Sequence, residues 1–149
     1  MGSPKMKDVT DAGATCPSES DKGWYLNLGQ DEKVVGKIAL DKQILYAPVY
    51  KPDITQPCFP GTSTLYQMGY ACGNVIKKTN LGAGSVAGVR IHEDKVYVSI
   101  SGTPDNETET EVDLEDGYKK KGSIAYGSPP DEASPEGGVV KIESWREKL

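Results

Sequence analysis

From Trp24 onward, short apolar runs alternate with turn-forming residues at nearly even intervals. Residues 24–28 (WYLNL) read as a strand and are followed by a turn at 29–32 (GQDE). Residues 33–40 (KVVGKIAL) come next and turn at Asp41-Lys42; residues 43–50 (QILYAPVY) follow, with Pro48 marking an edge or a bulge. Beyond a Pro-rich loop at 51–61 (KPDITQPCFPG), residues 62–70 (TSTLYQMGY) form the next strand, and Gly73-Asn74 the next turn. Residues 75–81 (VIKKTNL), 86–92 (VAGVRIH) and 95–101 (KVYVSIS) continue the rhythm, with Glu93-Asp94 as the hairpin between the last two. Strands spaced by about 8–12 residues, with no capped window of period 3.6, predict an all-β fold of antiparallel meander sheets.

The two ends read differently. Residues 1–22 are small and polar without periodicity, and are expected to be a flexible leader or linker before a domain over 23–101. The opening residues have no apolar stretch of the signal-peptide kind and look like a leader joined to an internal piece of a longer protein. Residues 102–138 carry acidic and Gly/Pro-rich runs with few anchors: Val112, Leu114, Tyr118, Ile124 and Tyr126. They are expected to be a flexible acidic loop, partly disordered, with at most one or two short strands. Residues 139–149 return to strand character (VVKIESW) and are expected to complete the domain. Two successive groups of strands repeat with a period of roughly 45–50 residues, which matches one propeller blade per group. The expectation is about two blades of a larger β-propeller.

Composition narrows the functional classes. Gly (17) and Pro (10) are frequent and apolar residues make up 36%, which suits a modest core with many turns. The formal net charge is −5 and no basic stripe appears along the chain, so nucleic acid is not an expected partner. The run Lys119-Lys120-Lys121 beside Asp113, Glu115 and Asp116 reads as a solvated, self-neutralising loop. No apolar run is long enough to span a bilayer.

Three cysteines, Cys16, Cys58 and Cys72, form no paired metal-ligand spacing, and the single histidine, His92, sits at a strand end with no catalytic pattern around it. Neither a metal site nor a cofactor is expected. One disulfide is, given an oxidising compartment. Cys58 and Cys72 flank one strand and would lie about 30 Å apart along it, too far to bridge. Cys16 is then the common partner, and the meander places the start of the 24–28 strand on the side of Cys72.

The aromatics Trp24, Tyr46, Tyr66, Tyr97 and Trp145 are expected to fill the core or pack between blades. The candidate for partner binding is the loop at 51–61, stiffened by Pro52, Pro57 and Pro60 and carrying Phe59, with Tyr50 at its base. The competing reading packs Phe59 inward and anchors the loop through a Cys58 disulfide.

Several of these positions together resemble the C-terminal propeller region of PilY/PilC-type proteins of type IV pili. The resemblance is carried by 23–28 (GWYLNL), 31–35 (DEKVV), 46–52 and the loop at 56–61 (QPCFPG). Leu65-Tyr66, Tyr70, Gly73 and the terminal Ser144-Trp145-Arg146 complete it. The ending implies a natural C-terminus, and the position of the loop in the family favours Cys16–Cys58 over Cys16–Cys72. The family's Asp-x-Asp-x-Asp-Gly calcium loop is absent from this sequence, so no calcium control carries over.

The resemblance implies a non-enzymatic module of the periplasm, cell surface or pilus tip. It would act in pilus assembly or tip adhesion, with a pilin, another assembly protein or a host surface ligand as partner. Two alternatives stand beside it. One is a fragment of a quinoprotein-like propeller enzyme. The other is a structural subunit whose sheet is completed by a partner's strand.

Overall fold

The computed structural model describes residues 5–11, 13–101 and 111–130. It is all-β, with antiparallel sheets that do not close into a barrel. In chain order the first strands are β1 (Lys7–Asp8), β2 (Trp24–Tyr25), β3 (Lys33–Val34), β4 (Ala39–Asp41), β5 (Ile44–Lys51), β6 (Thr62–Gly69) and β7 (Val75–Ala83). β8 (Ser85–His92), β9 (Lys95–Ser101), β10 (Val112–Asp113), β11 (Lys119–Lys121) and β12 (Ile124–Gly127) follow. A 3-10 turn, Glu115–Gly117, joins β10 to β11.

A first sheet has the order β3-β5-β6-β7, with β4 sharing the same side of β5 as β3. The run at 33–40 is therefore two short strands instead of one. Gly36, at a φ of 77°, breaks it, and both pieces then pair with β5. A second sheet has the order β10-β11-β12-β9-β8. Two-residue hairpin turns at Lys42-Gln43 and Glu93-Asp94 place both central residues at positive φ, the mirror-image turn that matches strand twist. The first of these lies one residue beyond the expected Asp41-Lys42.

The chain crosses between sheets at Gly84, whose φ is 113° and whose N–H donates to the Gly61 carbonyl at 2.9 Å. A Cβ at Gly84 would stand 2.6 Å from the Ser101 carbonyl oxygen, so only glycine fits that corner. The sheets stack face to face on one core. Ile44, Tyr46, Leu65 and Leu81 come from the first sheet and meet Val86, Val96, Val98, Ile100 and Ala125 of the second, together with Tyr118. Each fully buried aliphatic or aromatic side chain contributes about 1.5–3 kcal/mol relative to exposure.

A polar chain threads this core. The Tyr118 hydroxyl donates to Gln67 Oε1 (3.4 Å), Gln67 Nε2 donates to Thr79 Oγ1 (3.2 Å), and Thr79 Oγ1 donates to Asp116 Oδ2 (3.1 Å). Burial pushes the Tyr118 and Tyr46 hydroxyls up, that of Tyr46 to about 12.

Residues 1–22 were expected to be a leader; those described, 5–11 and 13–22, are instead part of the fold. They form a strap over the opposite face of the first sheet. β1 pairs in parallel with β2, Val9 is buried, and Cys16 is bridged to Cys72 with Cα atoms 4.6 Å apart. Under the strap, Trp24, Leu26 and Leu28 pack on Ala47, Val49, Tyr66 and Met68. The Trp24 indole N–H donates to the Tyr70 carbonyl at 2.8 Å. A Cβ on Gly73 would stand 2.5 Å from the Trp24 ring, so glycine there lets the strap close down.

The expected preference for Cys16–Cys58 is thus corrected. Cys72 lies in the β6–β7 turn beneath the strap, whereas Cys58 is a free, exposed thiol. A crosslink closing a separation of 56 residues stabilises by about 4 kcal/mol in the chain-entropy account.

Residues 112–127 are likewise more ordered than expected, with three short strands instead of at most two. The three lysines form β11, not a loop. Lys120 is buried, and Lys119 pairs with Glu111 at 3.1 Å instead of with the acids expected. The expected strand at 139–149, Trp145 and the acidic run at 102–110 lie outside the described residues.

Candidate partner-binding loop

The loop between β5 and β6 is built from local hydrogen bonds before any partner is considered. Asp53 Oδ1 accepts from the Thr55 N–H (2.9 Å), the Thr55 hydroxyl (2.6 Å) and the Gln56 N–H (3.2 Å). This is the turn that an Asp makes when its side chain takes the place of a backbone acceptor. The Thr55 hydroxyl, followed by the backbone N–H groups, holds the Asp53 carboxyl below its ordinary value. A second turn closes where the Phe59 N–H donates to the Gln56 carbonyl at 2.8 Å.

The base of the loop is pinned as well. The Gly61 N–H donates to the Tyr50 hydroxyl at 3.2 Å, and a Cβ on Gly61 would stand 2.2 Å from the Lys51 carbonyl oxygen. Any other residue at 61 would force the two loop stems apart.

The neighbouring wall is the turn before β3. Glu32 Oε2 accepts from the Gly29 N–H (2.9 Å) and from the Tyr66 hydroxyl (3.0 Å). Burial, with this acceptor beside it, pushes the Tyr66 hydroxyl up to about 12. The contact fixes Gln30 and Asp31, and between them and the loop lies an open cleft of about 460 Å³. Lys51, Asp53, Ile54 and Phe59 complete its polar and apolar sides.

Ile54 is 73% exposed and Phe59 51% exposed. The inward-packing reading of Phe59 does not hold, and neither does the Cys58 anchor. Of the four sequence candidates, Phe59 lines the cleft and Tyr50 braces its base. Pro57 and Pro60 stiffen the loop without lining the cleft. Sequence reasoning missed Ile54 and Asp53; the signal was present in the Asp53-Ile54-Thr55 turn pattern.

Of the aromatics expected to pack, Tyr46, Tyr66 and Trp24 lie in or against the core, and Tyr97 does not. Tyr46 and Tyr66 are buried, Trp24 is half-buried under its hydrogen bond, and Tyr97 is half-buried on the outer face of the second sheet. His92 is exposed on its hairpin, 3.7 Å from Glu93. Among the described residues no group of three or more His, Cys, Asp or Glu could hold a metal ion, and no helix is long and apolar enough to cross a membrane. The cleft offers apolar contact, two carboxylates and one ammonium on a braced scaffold, the equipment of a binding surface. Comparison with protein-family models, curated proteins and solved structures returns no match.

Proposed function

We propose that this chain is a non-enzymatic binding or assembly module working outside the cytoplasm, in type IV pilus assembly or tip adhesion. The observation that carries the binding role is the pair Ile54 and Phe59, held out to solvent on a loop whose backbone is fixed from within. A rigid apolar contact loses little entropy on docking, and exposing it without a partner has only a cost. The Cys16–Cys72 bridge suits an oxidising compartment. The pilus assignment rests on the sequence resemblance.

The test is co-elution of the full chain with soluble domains of type IV pilins. Ile54→Ser and Phe59→Ala are expected to weaken the complex by about tenfold each. No complex with any pilin, or one indifferent to both substitutions, would remove the proposal.

A second reading has its own support. β8 is an edge strand of eight residues. Counting back from the His92–Lys95 pair at the hairpin, Val89 and Ile91 direct their N–H and C=O groups away from β9. That edge suits completion by a partner's strand.

A further inference from the structure

The outer face of the second sheet carries an ordered row that the sequence scatters. Arg90 lies opposite Tyr97, Tyr97 opposite Tyr126, and Tyr126 opposite Lys119, each on an adjacent strand. Directly opposed residues share a face, so the row runs Arg90–Tyr97–Tyr126–Lys119 across four strands. With strands about 4.8 Å apart it spans about 14 Å. The two tyrosine rings sit 6.4 Å apart at 30° to one another. Tyr126 is oriented by its hydroxyl, which donates to Glu111, and Lys119 by its own bond to Glu111 at 3.1 Å.

Strand alternation brings Lys95 and Lys121 to the same face, while Ile124, 46% exposed, and Ser99 fill the next rank. Four formal positive charges, those of Arg90, Lys95, Lys119 and Lys121, stand against the carboxylates of Glu111 and Asp113. The surrounding chain has a net charge of −5, so this face is of opposite sign to the whole. Arg90 is exposed and has no ion-pair partner among the described residues.

We propose that this face binds an extended anionic glycan, a chain of hexuronate residues lying along the row. Guanidinium and ammonium groups at its ends take the sugar carboxylates, Arg90 in two-point geometry. The tyrosine rings meet the C–H faces of the pyranoses between them, and Ser99 is a hydroxyl partner. The face sets its two tyrosine rings between lysines and an arginine, and such a density of lysine charge is depleted at the core of a protein interface. It fits a polyanion with apolar ring faces. Single-stranded nucleic acid shares that chemistry; the extracytoplasmic reading favours the glycan, and the experiment separates the two.

The full chain is titrated with oligogalacturonate, with neutral maltohexaose and with oligothymidylate, following tyrosine fluorescence and heat. Binding to oligogalacturonate that weakens with salt, and none to maltohexaose, is expected. Arg90→Glu and Tyr97→Ala should each reduce that affinity by about tenfold, with far-UV circular dichroism unchanged. Phe59→Ala, on the separate loop, should leave it unaltered, so loss of pilin binding and loss of glycan binding are independent results. Absence of oligogalacturonate binding, or binding indifferent to Arg90→Glu, overturns the proposal. Tighter binding of oligothymidylate through the same two residues also overturns it.

Discussion

The two sheets share one core, yet their other faces differ. The first sheet is covered on both sides, by the second sheet on one and by the strap of residues 5–28 on the other. The second is covered on one side and, among the described residues, uncovered over the row Arg90–Tyr97–Tyr126–Lys119. The strand sequences carry this difference. β5 (ILYAPVYK) is apolar nearly throughout because both its faces are buried. β9 (KVYVSIS) alternates strictly, with Val96, Val98 and Ile100 inward and Lys95, Tyr97 and Ser99 outward. The first sheet buries side chains on both faces, and the second buries them on the face it shares with the first.

The largest effect is expected from opening the shared core. Leu65 of β6 is completely buried among residues from both sheets. Leu65→Ala is expected to cost about 2–5 kcal/mol, read as a fall in the urea midpoint. A cost below about 1 kcal/mol would mean that the sheets do not depend on one core.

Cutting the strap is next. Replacing Cys16 and Cys72 by serine together should lower stability by about 4 kcal/mol at most, through loss of the crosslink. Limited proteolysis should then cut residues 5–22 first, because little else holds them: Val9, the short β1–β2 ladder, the Thr10–Asn27 bonds and a few turn bonds. Cleavage beginning in the second sheet would contradict the separation between strap and sheets.

How much of this was legible follows from where the information sits. β5, β6 and β9 were readable because they bury side chains in a pattern of period two or in a continuous run. The strap was not. Besides the disulfide, Val9 and the Asp8–Thr10–Asn27 bonds, it is held by backbone bonds, such as Lys7 N–H to the Gly23 carbonyl at 2.9 Å and Val9 N–H to the Tyr25 carbonyl at 3.0 Å, and such bonds leave no mark on side-chain choice. β11 was hidden for another reason. Its inward residue is Lys120, so the alternation that betrays a strand is lost in a run of lysines, and its order depends on Tyr118 and Ala125 beside it. In the binding loop, Phe59 was legible as a hydrophobe among prolines. Its exposure was not, because that depends on Asp53 fixing the turn and on Cys72 having taken Cys16 as its partner.

Acid should weaken both regions, since carboxylates brace each of them. In the strap, Asp8 Oδ1 accepts from the Thr10 hydroxyl and, at 2.9 Å, from the Thr10 N–H; Thr10 Oγ1 in turn accepts from the Asn27 N–H at 2.9 Å. On the second sheet, Glu111 accepts from Tyr126 and Lys119. These partners hold both carboxyls below their ordinary values of 3.8 and 4.5. A carboxyl whose value is lowered in the fold contributes stability above its unfolded value, and that contribution is lost as pH falls through the folded one. The urea midpoint should therefore be level near neutrality and decline as pH falls below 4.5 for Glu111 and then below 3.8 for Asp8. Asp8→Asn should flatten the lower part of that decline, whereas a midpoint that rises on acidification would reverse the sign.

The smallest effect is expected on the bare face, and its smallness is informative. Tyr97 belongs to a strand whose inward neighbours Val96 and Val98 are fully buried, while its own ring lies outside against Tyr126. Tyr97→Thr puts a β-branched residue suited to a strand in place of the aromatic and removes the ring contact, worth about 0.5–1.5 kcal/mol, part of which solvent recovers. The expected loss of stability is about 0.5 kcal/mol, against several for Leu65→Ala. A loss that small would separate the place of Tyr97 in the cationic and aromatic row from any part in folding. If Tyr97→Thr instead cost as much as opening the core, the outer face would be structural, and the contrast between the two sheets would collapse.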